Sequence, residues 1–154
     1  MEQQIVDRND RKYVLSITKQ GASLYFKLYN QQILVGEVRG VRESDETLLL
    51  ADIAIANEVV AIPERSWIFR LGNRFGYLPK PISYRKQGLG SALLKAFLDY
   101  ASHNGIRHIY GKVMKQDLEN NPKLLQWYQR HGFETRSPTS TDEVDILVWI
   151  DLNI

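Results

Sequence analysis

The sequence predicts an α/β (α+β) fold: a mixed, mostly antiparallel central sheet of about six to seven strands that carries one βαβ unit. Three observations predict it. Through the first third of the chain, short runs rich in β-branched and aromatic residues alternate with turn signals. From Leu89 to His103, apolar residues recur at helical spacing between two strand-like runs. A helix that follows one strand and leads into the next marks a parallel crossover.

Taken in order, residues 1–11 are polar and are expected to be loose. Tyr13–Lys19 reads as a strand, Gln20-Gly21 as a turn and Ala22–Leu28 as a second strand. Asn30-Gln31 is the expected connection into a strand over Ile33–Val41. Glu43–Glu46 turns the chain into a fourth strand, Leu48–Ala56, whose one charged residue is Asp52. Residues 57–84 then form a connection well beyond the usual length. Within Ile62–Lys86, six basic residues (Arg65, Arg70, Arg74, Lys80, Arg85, Lys86) face one acid, Glu64, with Trp67, Phe69, Phe75, Tyr77 and Tyr84 interleaved. Trp67–Leu71 suggests a short extra strand with Gly72-Asn73 as its turn. Such a segment either pads the sheet or covers a site.

In the helix, Leu89, Leu93, Phe97 and Tyr100 form the stripe, and Asn104-Gly105 ends it. Ile106–Val113 reads as the strand that completes the crossover. Asn121-Pro122 supplies an N-cap and first turn for a helix over 122–131, with Leu124, Tyr128 and His131 on one face and Gly132 as the stop. Val144–Ile150 is the last strand, expected beside the residues that follow Phe133.

Composition narrows the function classes. At 154 residues the chain is most simply one domain, 1–154, with an insertion at about 57–84. With 44% hydrophobic and 25% charged residues it has the make-up of a soluble globular protein. It has no cysteine, which excludes disulfides, thiolate nucleophiles and thiolate metal sites. His103, His108 and His131 show no ligand spacing, so no metal is expected. The first residues lack a signal-peptide core, and Leu48–Ala56 is too short for a membrane span. A cytoplasmic protein is the resulting expectation. A net charge of +2 is too small to imply nucleic acid by itself.

The chemistry is concentrated at Arg85-Lys-Gln-Gly-Leu-Gly-Ser91. Gly88 and Gly90 let a ligand approach the backbone, and the first helical turn offers unpaired amides at the positive end of the helix dipole. That is a cradle for a phosphate or diphosphate, with Arg85 and Lys86 at its mouth. It is not a Walker loop, because Ser91 and Ala92 follow Gly90. Nor is it a dinucleotide fingerprint, because position 93 is Leu.

With Asn121, Tyr128 seven residues on, and then Gly132-Phe133, the segment Arg85-x-x-Gly88-x-Gly90 resembles the GNAT superfamily of acyl-CoA-dependent N-acetyltransferases. The resemblance covers roughly residues 45–135 with one large interruption. It implies acetyl-CoA as co-substrate and direct attack by an amine in a ternary complex. The implied coenzyme contacts are Ile53, Ala54 and Ile55 beside the thioester, then Arg85, Lys86, Gln87, Gly88, Leu89, Gly90 and Ser91 around the diphosphate, and Asn121 on the pantetheine arm. Tyr128 is the implied general acid, and Asp52 or Glu58 is the candidate base. The chain departs from the family after its first strand. The usual two acceptor-side helices have no room between Lys19 and Ser23.

Three functions compete. The first is an N-acetyltransferase acting on an amine-bearing small molecule, peptide or protein. The second is a non-catalytic acyl-CoA-binding or sensing module of the same fold. The third is a nucleic-acid-associated domain that uses the basic, aromatic segment 62–86. A free strand edge at the C-terminus would further permit a homodimer.

Overall fold

The computed structural model describes residues 2–56, 58–59, 82–83, 88–137 and 145–153. The expected strand over Trp67–Leu71 lies outside the described residues, as do Arg85, Lys86 and Gln87. The described elements run β1 (Glu2–Val6), β2 (Lys12–Gln20), β3 (Ser23–Asn30), β4 (Ile33–Arg42), β5 (Thr47–Ile55), β6 (Glu58–Val59), β7 (Ile82–Ser83), α1 (Leu89–His103), β8 (His108–Val113), α2 (Lys115–Asn120), α3 (Leu124–Arg130), β9 (Glu134–Arg136) and β10 (Ile146–Asp151).

One eight-stranded sheet has the order β1-β2-β3-β4-β5-β8-β10-β9. Every adjacent pair is antiparallel except β5 and β8, which α1 joins as the expected βαβ unit. The meander, the crossover and the pairing of the last strand beside the residues after Phe133 are all as predicted. The strand count differs, because residues 2–6 are not loose but form the outermost strand. Only Ile5 of that strand is even half-buried, so no hydrophobic pattern announces it. The C-terminal strand is not an edge either. It lies between β8 and β9, so the free edges are β1 and β9.

No helices intervene between β2 and β3. Gly21 and Ala22 join them directly, and Gly21 has a φ of 59°. The two ends of the insertion meet as a short ladder, in which Glu58 pairs with Ser83 and Val59 with Ile82. The helix expected over 122–131 begins at Leu124, and a polar helix, α2, precedes it unannounced.

The core lies on one face of the sheet. Leu89, Leu93, Leu94, Phe97 and Ala101 of α1 are buried there against Phe26, Leu28, Val38 and Leu48. Gly36 and Gly40 of β4 allow this close approach. A Cβ at Gly36 would come within 2.9 Å of Leu93, and one at Gly40 within 2.7 Å of Phe97. Phe26 stacks edge-on against Phe97 with ring centroids 5.3 Å apart. The α3 end of the chain covers the same face, since Gly132 abuts Ile150, which pairs with the buried Ile109. Among the described residues no helix packs on the opposite face, which carries Tyr25, Arg39 and Asp52 in cross-strand register.

β5 contains one irregularity. Asp52 pairs with Arg39 and Leu50 with Gly40, leaving Ala51 as a bulge. The extra residue shifts the side-chain phase. Leu48 and Leu50 point into the core before it, whereas Ile53 and Ile55 face the helices after it. Asp52 and Ala54 are consequently left exposed on the other side.

Candidate active site

The bulge coincides with a parting of strands. β5 pairs with β8 only from Thr47 to Leu50, although both strands continue, β5 to Ile55 and β8 to Val113. On its other side β5 remains bonded to β4, where the Ala56 N–H donates to the Val35 carbonyl at 2.9 Å. Alternation along an antiparallel ladder then turns the N–H and C=O of Ile53 and Ile55 away from β4 and into the gap. Two peptide units therefore present polar edges without a ladder partner among the described residues. Of the three positions expected at the thioester, Ile53 and Ile55 face the opening with their backbone, and Ala54 is bonded back to the sheet.

The N-terminus of α1 lies at the same rim. Gly88 is the N-cap, with φ of 79° and ψ of 8°, a left-handed conformation that makes glycine the appropriate residue. No side chain caps this helix and its first turn has no acid, so the amides of Leu89, Gly90 and Ser91 remain as donors facing outward. Leu89 is buried and anchors the turn. Position 90 is different in kind. A Cβ there would rest 3.7 Å from Trp127 and 3.8 Å from Ile55, ordinary contact distances. Protein packing alone does not demand glycine at 90. The contact with Ile55 also shows that the cradle and the parted strands adjoin.

A polar chain joins the cradle to α3. Trp127 Nε1 donates to Ser91 Oγ at 3.2 Å, and Ser91 Oγ pairs with His131 Nε2 at 2.9 Å. Burial, reinforced by the Arg130 charge, lowers the pKa of His131 and favours its neutral form. The serine oxygen accepts from the indole, and the tautomer of the neutral ring sets whether Nε2 accepts the serine proton or donates to the same oxygen. The sequence put His131 on the helix face of Tyr128 without giving it a role, and Trp127 was not singled out. Its only available signal was a tryptophan four residues before that histidine.

Tyr128 is buried, at 6% exposed, and its ring packs edge-on to Trp127 and Phe133 with centroids 5.0 and 5.3 Å away. Its hydroxyl makes no hydrogen bond among the described residues. Yet no fully enclosed side-chain oxygen or nitrogen of the described residues lacks a partner. The phenol oxygen is therefore not sealed in, and it opens onto space beyond the core. A structural tyrosine would normally have its hydroxyl tied to a neighbour. Burial, then the charges of Asp117 and Asp52, push its pKa up to about 12.

The remaining expected residues are placed as follows. Asp52 is exposed on the bare face, close enough to act on Tyr128 through its charge. Glu58 belongs to the neck of the insertion as a backbone pair of Ser83. Asn121 is not the N-cap of α3, a position held by Lys123. Instead its Oδ1 accepts the Lys123 N–H at 3.3 Å and turns the chain into the helix. The basic, aromatic segment 62–86 falls outside the described residues apart from Ile82 and Ser83. Among the described residues there is no cluster of three or more metal-ligating side chains, and no helix is long and apolar enough to cross a membrane.

Residues 79–135 match the family model described as an acetyltransferase (GNAT) domain. The fold is that of the GNAT superfamily. The GNAT domain of S. lividans PAT superposes with a TM-score of 0.65 at 12% identity, covering 98% of this chain and 97% of that one. A GNAT family acetyltransferase from Elizabethkingia anophelis with acetyl-CoA bound gives 0.55 at 16% identity, covering 85% and 77%. The PaiA N-acetyltransferase from Thermoplasma acidophilum in complex with coenzyme A gives 0.57 at 15%, covering 85% of this chain, which spans 62% of that one. No curated protein sequence gives a significant match. The GNAT domain match contains the cradle, Asn121 and Tyr128, whereas the parted strand β5 lies upstream of it.

Proposed function

We propose that this chain is an acetyl-CoA-dependent N-acetyltransferase, one domain over 1–154 with an insertion at about 57–84. The observation that carries the reading is the open hydroxyl of the otherwise buried Tyr128, beside parted strands and a bare helix N-terminus. Those features fit a thiol carrier with a diphosphate. The amides of Leu89, Gly90 and Ser91, with Gln87, Arg85 and Lys86 leading into them, would hold the diphosphate. The peptide edges of Ile53 and Ile55 would hold the amide-bearing arm in the gap, with an N–H there polarising the carbonyl oxygen. Asn121 stands at the entrance to α3, near the same arm.

Acetyl-CoA supplies the acetyl group as a thioester: the amine nitrogen forms the new C–N bond, the C–S bond breaks, and the amine proton must leave. A lysine-like amine at pH 7 needs about 4–5 kcal/mol to lose its first proton. Asp52, exposed on the face opposite the helices and near enough to Tyr128 to act on it through its charge, is one candidate to receive it directly or through water. Glu58 is the alternative base. At a pKa of about 12, Tyr128 is a reluctant acid. Full transfer to a thiolate of ordinary pKa near 8.5 would cost about 5 kcal/mol, so its O–H chiefly donates a hydrogen bond to the departing sulfur.

The short β2–β3 connection supports a second reading, a coenzyme-binding module without turnover, because the acceptor side has no helical wall among the described residues. A panel of small amines, peptide N-termini and lysine peptides, assayed for thiol release from acetyl-CoA, tests the two. Thiol release that requires an amine supports the enzyme. Coenzyme binding without release under every acceptor supports the module, and absence of binding sinks both.

A further inference from the structure

We propose that Arg8, in the turn between β1 and β2, is a coenzyme-binding residue that supplies a guanidinium to the diphosphate cradle, an inference that rests on the reading of that cradle given above. Eighty residues of sequence separate Arg8 from Gly88, yet a Cβ built on Gly88 would lie 3.5 Å from Arg8 Nε and 4.0 Å from Arg8 Cγ. The guanidinium therefore lies beside the residue that opens α1, whose first turn has no side-chain cap. The sheet order accounts for this. The end of β1, the start of β2, the end of β3, the start of β4 and the end of β5 share one rim, and α1 begins there.

The turn holds the backbone at Arg8 in place. The Asp7 Oδ1 accepts the N–H of Asn9 at 2.8 Å and of Arg11 at 3.0 Å, and its Oδ2 accepts from Tyr13 Oη at 2.6 Å and Arg11 Nε at 2.7 Å. The Asp7 N–H donates to the Arg11 carbonyl and the Asp10 N–H to the Asp7 carbonyl, closing the loop around the buried carboxylate. Asp7, Asn9, Arg11 and Tyr13 thus fix the backbone on both sides of Arg8, whose own residue remains exposed. A planar guanidinium presents paired N–H donors that match the oxygens of a phosphate, and amides on one side with a guanidinium on the other can enclose a diphosphate. The ligand chemistry is the diphosphate common to coenzyme A and its dephospho form.

The test measures Kd by calorimetry on the full chain for coenzyme A, for dephospho-coenzyme A and for pantetheine, with Arg8→Gln, Arg8→Lys and Arg107→Gln as variants. Arg8→Gln is expected to weaken both nucleotide ligands about tenfold while leaving pantetheine affinity unchanged. Arg8→Lys should fall between, and Arg107→Gln, on a cation paired with Glu46, should match the wild type. Wild-type affinity for coenzyme A in Arg8→Gln overturns the proposal. Loss confined to coenzyme A moves the contact to the 3′-phosphate and overturns the diphosphate assignment. If the unaltered protein binds none of the three, the reading of the cradle fails instead.

Discussion

Trp127 Nε1 donates to Ser91 Oγ across 3.2 Å, so the helix bearing the tyrosine is fastened directly to the helix bearing the cradle. With His131 on the same serine oxygen, this polar chain ties α3 to the first turn of α1. A double-mutant cycle of Ser91→Ala with Trp127→Phe should give a coupling of about 0.5–1.5 kcal/mol in chemical denaturation. The histidine adds a pH signature. Its native pKa is lowered relative to the ordinary 6.5, so its contribution is present above that value and is lost as pH falls through it. Stability should therefore rise from mildly acidic to neutral pH in the wild type and do so less in His131→Gln.

Tyr128→Phe separates a structural from a chemical role. The hydroxyl has no partner to lose among the described residues, so the variant should unfold within about 0.5 kcal/mol of wild type, as a substitution outside any special feature does. Turnover should nevertheless fall about a hundredfold, the low end for acid catalysis. An unchanged kcat removes Tyr128 from the mechanism. Because its native pKa is raised from 10.0 to about 12, the phenol's contribution is intact below pH 10 and declines above it as the unfolded state ionises first. The wild type should lose about 2–3 kcal/mol more than Tyr128→Phe across that alkaline window.

The two cradle glycines should behave differently. Gly88→Ala forces a side chain into the left-handed region and should cost about 1–2 kcal/mol. Gly90→Ala meets only ordinary contacts and should leave the unfolding temperature unchanged while weakening coenzyme affinity. Gly90→Glu, which adds a negative charge at the same amides, should abolish binding without unfolding the chain. Intact affinity in Gly90→Glu would place the diphosphate elsewhere.

Asp7→Asn tests the N-terminal knot. Burial alone would raise the carboxyl's pKa, but hydrogen bonds from Tyr13, the Arg11 and Asn9 amides and the Arg11 side chain outweigh it and hold it below the ordinary 3.8. The stabilisation is thus present above that value and fades as pH drops through the native pKa. The variant should be less stable than wild type at neutral pH, and the difference should shrink in strong acid. A constant difference across the acid range would contradict the charge-based account.

The sequence disclosed the parts of the molecule governed by local rules. Leu89, Leu93 and Phe97 recur because one helix face is buried, and Gly88 marks a backbone conformation that other residues resist. Tyr128 was singled out by its spacing from Asn121, a family pattern rather than a physical one. What escaped notice depends on contacts between distant segments. Glu2–Val6 is an edge strand with little to bury, so its composition is polar, and α2 has no fully buried residue, with Leu118 only half-buried against the core. Arg8 beside Gly88, and His131 on Ser91, become neighbours only when the sheet brings their ends to one rim.

Ala51 also constrains how this strand can change over time. As the unpaired residue, it works like a half-step in a two-beat rhythm: remove it, and every side chain downstream exchanges inside for outside. The carboxylate of Asp52 would then be driven toward apolar neighbours and Ile53 and Ile55 toward water. Point replacements along β5 are local events, but loss or gain of a single residue there would invert the whole second half of the strand in one stroke.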